Sequence, residues 1–240
     1  LTSAKSLSTR FNPKTGCIKS WDSKNSDDFL VIIDNMMNLE LLFWATRVSG
    51  DSSFYKIAVA HANTTMKNHF RPDNSCYHVL NYDIETGGVK QKRTAQGAAD
   101  ESAWARGQAW SLYGFTEAFR NTKDSLYLEQ AIKSAEFMLN HPNLPSDKIP
   151  FWDFNAPDIP NAFRDASTGS IMASGLIELS GYVEKNMAKK FLKASETILR
   201  VLSGKTYKAE AGTNGGFIQM HSVGHFPQKK EVDVRSEEHT

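Results

Sequence analysis

Asp34 is the carboxylate with the most chemistry to offer. Val31, Ile32 and Ile33 precede it and Met36 and Met37 follow, so an ionisable group stands inside an apolar run. Two compatible readings fit it. Asp is a common helix N-cap, because its short side chain accepts a free N–H of the first turn. Apolar neighbours also disfavour its charged form, which would make it a proton donor near neutral pH. Asn38, one helical turn on, would share that face and could orient it. Arg106 and Trp110 are a second pair four residues apart, which puts a guanidinium and an indole on one helix face. A planar fork grips carboxylates, and an indole offers an apolar plane to a sugar ring. A structural ion pair beside a core tryptophan accounts for the same spacing. His78 and Gln96 lie in the connection before that helix, in Asp73-Asn74-Ser75-Cys76-Tyr77-His78 and Thr94-Ala95-Gln96-Gly97. Taken singly, each reads as an ordinary loop residue. An ordinary glycosidase would need a second carboxylate beside Asp34, for which Asp153 and Asp165 are the candidates.

Other chemistries find little support. His61 and His69 are eight apart, and neither HExxH nor a paired CxxC occurs, so no metal is expected. Gly87-Gly88 and Gly215-Gly216 are bare turn pairs, not phosphate loops, and no GxSxG elbow is present. No cofactor is implied.

Helices must position these groups. Ile33 to Ala45 places apolar residues at 37, 41, 44 and 45, a helical period in which Trp44 belongs to the core stripe. Ser49-Gly50-Asp51 is a turn, and a second periodic run follows through Tyr55, Ile57, Ala58 and Ala62. The plan repeats from Arg106 through Asn121-Thr122-Lys123-Asp124 to Met138, and again from Ser170 through Ala188-Lys189-Lys190 to Leu202. The first helix of each unit is rich in Gly, Ala, Ser and apolar residues. The second carries a charged face, such as Lys189, Lys190, Lys193 and Glu196. Inner and outer helices in alternation describe an all-α, α/α toroid. Short β hairpins at Tyr77 to Tyr82 and Gly88 to Arg93 are compatible with it. Trp21, Trp104 and Trp152 fall in the connections or at unit starts.

Composition narrows the partners. Of 240 residues 40% are hydrophobic, enough for one sizeable core. Lys and Arg number 28 against 27 Asp and Glu, so the basic footprint of a nucleic-acid binder is missing. No apolar stretch reaches the length of a bilayer span. Cys17 and Cys76 are too few for a disulfide scaffold.

Several motifs in order resemble a known family. Asp34-Asn35-Met36-Met37-Asn38, Arg71-Pro72-Asp73-Asn74-Ser75-Cys76-Tyr77-His78, Gln96-Gly97, Ser102-Ala103-Trp104-Ala105-Arg106-Gly107-Gln108-Ala109-Trp110 and Asp165-Ala166-Ser167 resemble glycoside hydrolase family 88, the unsaturated glucuronyl hydrolases. The similarity runs from about Gly16 to about Val234 and implies a six-hairpin (α/α)6 barrel. It also implies an unusual reaction on the products of polysaccharide lyases. An Asp protonates C4 of the terminal C4=C5 uronic acid, water activated by a carboxylate adds at C5, and the hemiketal collapses to release the sugar. On this resemblance Asp34 is the general acid/base, and Trp21, His78, Gln96, Arg106 and Trp110 line the substrate pocket. Arg106 is the candidate to compensate the uronate charge. The partner is an unsaturated uronate oligosaccharide of the glycosaminoglycan type. The related unsaturated rhamnogalacturonyl hydrolases, which act on pectin fragments, and a non-catalytic sugar-binding barrel are the alternatives.

The chain departs from the family at both ends. It opens Leu1-Thr2-Ser3 without Met, and Leu1 to Phe11 holds no acidic residue, whereas the family has a second essential Asp upstream of the Asp34 motif. Residues 1–234 read as a single, incomplete barrel domain. Arg235-Ser236-Glu237-Glu238-His239-Thr240 reads as a non-native tail. An incomplete barrel would be inactive or nearly so and poorly soluble, with its compartment, periplasmic or cytoplasmic, left open.

Overall fold

The computed structural model describes residues 1–25 and 27–228. The expected domain end at Val234 and the tail at 235–240 lie outside the described residues. A short helix α1 (Thr2–Ser8) and a hairpin β1 (Phe11–Asn12) and β2 (Cys17–Ile18) lead into a three-stranded antiparallel sheet. Its strands are β3 (Phe29–Ile32), β4 (Val79–Tyr82) and β5 (Val89–Arg93), in that order. Both expected hairpin strands are present. β3 was unforeseen, because four apolar residues running into a helix carry no period of their own.

Three helical hairpins form the body: α2 (Asn35–Ser49) with α3 (Ser52–Asn68), α4 (Ala105–Thr122) with α5 (Ser125–Asn140), and α6 (Ala166–Ser180) with α7 (Lys185–Leu202). α2, α4 and α6 lie side by side with α4 central, and each is backed by its hairpin partner. This is the alternating inner and outer arrangement of an α/α barrel. The hairpin turns carry the residue types such turns need. Gly50 and Lys123 take left-handed φ of 74° and 61° at the ends of α2 and α4, and Asp51 and Asp124 cap the helices that follow. α6 starts at Ala166, four residues before the sequence reading placed it, because Asp165 accepts the Ser167 N–H and starts the helix there.

One expected core residue is outside. α2 buries Met36, Leu39, Leu42, Phe43 and Ala45, while Trp44 is 40% exposed. The helix is apolar on nearly every side, so its period cannot select the buried face. Val48 on α2, and Ile177, Leu192 and Leu199 on α6 and α7, are exposed as well. No helix among the described residues is long and apolar enough to cross a membrane.

Inner helices approach closely at Gly114, where a Cβ would stand 2.4 Å from the Met36 Cβ and 3.0 Å from its carbonyl carbon. Backbone on one side and a fully buried side chain on the other leave no room to yield. Gly114→Ala should therefore cost about 1–3 kcal/mol despite the better helix propensity of Ala, read as a lower urea midpoint with unchanged slope.

Candidate active site

The end of the sheet assembles the site. Ile32 of β3 pairs with Val79 of β4, and Val79 pairs with Arg93 of β5. Residues just beyond these pairs, Asp34, His78 and Thr94 to Gln96, must therefore come together. A bond from Ile33 N–H to the His78 carbonyl (3.0 Å) extends the ladder one step further. The sheet turns three segments, distant in sequence, into one cluster.

Asp34 occupies the N-cap position of α2 but takes no capping bond. Its backbone is helical, and its side chain accepts nothing from the first turn. Instead the carboxyl is buried, 6% exposed, with no hydrogen-bond partner for Oδ2 among the described residues. The His78 Nε2 stands 3.8 Å from Oδ2. Burial pushes the Asp34 carboxyl up to about 6, against the opposing pull of the Arg106 guanidinium. It can thus hold a proton near neutral pH and release it. Asn38, expected to orient Asp34, lines a groove further along the helix, and His78 takes the neighbouring place.

Arg106, 1% exposed, is committed to protein partners. Nη1 donates to Asp165 Oδ2 (2.8 Å), the Val223 carbonyl (2.7 Å) and Ser167 Oγ (3.3 Å), and Nη2 to the Gly224 carbonyl (3.0 Å). Gln96 Nε2 donates to the same Gly224 carbonyl (2.8 Å). Two candidate pocket residues therefore hold the segment at 223–224 against the start of α4. The guanidinium stacks on Trp104, 4.7 Å from its ring. Trp110 lies one turn further along and meets Tyr113 edge-on at 5.8 Å.

Neither alternative second carboxylate is free. Asp165 binds Arg106 and the Ser167 and Thr168 hydroxyls. Asp153, fully buried, accepts from Ala98 N–H (2.9 Å), Ser102 Oγ (2.6 Å) and Asn155 N–H (2.8 Å). Both are bound into hydrogen-bond networks of their own.

Trp110 lines a groove of about 410 Å³ with Met37, Asn38, Glu40, Tyr113, Ser170, Ile171 and Ser174, walled by all three inner helices. An amide, a carboxylate, hydroxyls and an indole are a surface suited to sugar. Trp21, half-buried, packs on the sheet with Leu30, Ile32, Val79 and Ala95, next to Gln96. Sequence reasoning missed Trp104, whose ring lies against His78 at 4.2 Å and a tilt of 31°, and Thr94. Their only signal was adjacency to Arg106 and Gln96.

No protein-family model matches the chain. Individual proteins do. An unsaturated glucuronyl hydrolase of Formosa agariphila is 49% identical over 234 residues, 97% of this chain and 58% of that protein. An unsaturated glucuronyl hydrolase of Bacillus sp. strain GL1 is 33% identical, covering 92% of this chain and 59% of that one. Among solved structures, an unsaturated glucuronyl hydrolase specific for heparin superposes with a TM-score of 0.92 at 47% identity, over 95% of this chain and 61% of the other. The chain spans about three fifths of the length of the relatives it matches.

Proposed function

Because this chain belongs to the unsaturated glucuronyl hydrolase family along nearly all of its own length, we propose that it acts in releasing the unsaturated uronic acid from lyase-generated oligosaccharides. The observation that carries the reading is Asp34, a buried carboxyl able to hold a proton near neutral pH beside the His78 imidazole. In the first step the Asp34 proton passes to C4, a new C4–H bond forms and the double bond is consumed. Positive charge builds at C5, stabilised by the ring oxygen. Water adds there, and its proton returns to the Asp34 carboxylate. The C5 hemiketal opens, leaving a hemiacetal at C1 that expels the partner sugar. In this scheme Asp34 gives and retakes the proton, and the second essential Asp that the family resemblance implies is expected upstream of the Asp34 motif.

Trp110 and the hydroxyls and amide around it form a wall for the oligosaccharide, and Trp21, His78 and Gln96 border the unsaturated ring. Arg106 acts from behind this wall. It holds the segment at 223–224 in place, and its field moderates the proton affinity of Asp34. A uronate reaching Gln96 and Arg106 would take over the place of the Gly224 carbonyl.

The test offers a full-length version of the protein matched saturated and unsaturated disaccharides, a heparin-derived one first, with chondroitin-derived and rhamnogalacturonan-derived ones beside it. Cleavage confined to unsaturated substrates, with loss of the double-bond absorbance, is the expected result. Equal cleavage of both members of a pair, with the absorbance retained, would eliminate the hydration mechanism.

A further inference from the structure

We propose that Thr94, through the turn it begins, fixes the His78 tautomer so that the ring's Nε2–H faces Asp34; the catalytic consequence rests on the reaction proposed above. Ala95 N–H and Gln96 N–H both point at His78 Nδ1, at 3.2 and 3.3 Å. A nitrogen met by two donors presents its lone pair. In the neutral imidazole the proton is then on Nε2, the nitrogen 3.8 Å from Asp34 Oδ2. Contact with the Trp104 ring, tilted by 31°, restrains the ring plane.

The turn behind Nδ1 is built for this. Thr94 Oγ1 accepts the Gly97 N–H at 2.7 Å and lies 3.4 Å from Nδ1. Thr94 N–H is held by Asp100 Oδ1 at 2.9 Å, and Asp153 takes the Ala98 N–H. A Cβ at Gly97 would come within 2.7 Å of Thr94 Oγ1, so the loop closes tightly on the hydroxyl. Remove that hydroxyl and Gly97 N–H loses its acceptor, the turn relaxes, and the two donors no longer converge. The ring can then carry its proton on Nδ1 and turn a lone pair toward the carboxylate. With the lock in place, an N–H faces the anion that Asp34 becomes after giving up its proton. Thr94 touches neither substrate nor Asp34 in this scheme; it is a positioning residue.

The experiment is long-range proton–nitrogen correlation NMR on the ¹⁵N-histidine-labelled protein, with the His78 signals assigned by their loss in His78→Gln. The expected result is protonated Nε2 and bare Nδ1 in the wild type, a population of the other tautomer in Thr94→Val, and recovery in Thr94→Ser. On an unsaturated disaccharide, Thr94→Val should lose about tenfold in kcat with KM little changed, again recovered by Thr94→Ser. A wild-type ring protonated on Nδ1, or an unaltered tautomer in Thr94→Val, would overturn the proposal. The tautomer is read without turnover, so the two ideas fail separately. A locked ring in a protein that hydrates no unsaturated sugar counts against the reaction alone.

Discussion

Asp34→Asn is expected to abolish turnover in a full-length version of the protein and, at neutral pH, to make the fold more stable. The two effects share one cause. Burial raises the Asp34 carboxyl from its ordinary value of 3.8 to about 6, which suits it to donate a proton but makes its ionised form costly. Loss of a positioned acid/base group lowers kcat by about 10²–10⁴-fold. The stability sign follows from proton counting. Between 3.8 and about 6 the folded chain keeps a proton that the unfolded chain has released. Stability therefore declines as pH rises through that window and stays lower above it. Asn is neutral at every pH and escapes the decline, so the variant should gain up to about 3 kcal/mol at pH 7, with little gain at pH 4. Urea denaturation at the two pH values checks it. In the wild type, kcat/KM should fall as pH rises through about 6, where the donor form disappears. A variant with turnover intact would remove Asp34 from the mechanism. A loss of stability at pH 7 would show that its carboxylate is solvated better than its burial indicates.

Arg106→Met should be the most destabilising single change at the site. Methionine fills much of the volume but leaves Asp165 as a buried charge held only by hydroxyls and a backbone N–H, frees the Val223 carbonyl and leaves the Gly224 carbonyl to Gln96 alone. Breaking one side of a buried pair typically costs about 3–5 kcal/mol. Replacing both members, Arg106→Met with Asp165→Leu, should recover part of that loss, because no unpaired charge then remains. A second readout tells the ion pair from general damage. Arg106 holds the Asp34 proton affinity down, so its removal should move the falling limb of the pH–rate profile to higher pH. An unmoved limb would mean that the guanidinium does not act on Asp34.

What could be read from the chain differs by level. The alternation of inner and outer helices was legible, because the Gly- and Ala-rich runs and the Lys-bearing runs have different burial needs. The turns at Gly50 and Asn121–Asp124 were legible for the same local reason. The rotation of α2 was not. Trp44 and Met36 are equally apolar, and only packing against α4, which Gly114 permits to come close, decides which of them faces inward. Which of the two readings of Arg106 holds was equally hidden. Four-residue spacing gives a shared face, but the guanidinium found Asp165, 59 residues away, and stacked on Trp104 instead.

Asp34 shows the division most plainly. By itself the sequence determined that an acid stands in an apolar run at the start of an inner helix, because residue type and hydrophobic context are local properties. Whether that acid would cap the helix or keep a proton was settled by tertiary structure alone. The ladder from β3 to β5 delivers His78 and the Thr94 turn to Asp34, and the surrounding core withholds water from it. Proton affinity depends on solvation and on charges brought close in space, and neither exists until the chain has folded.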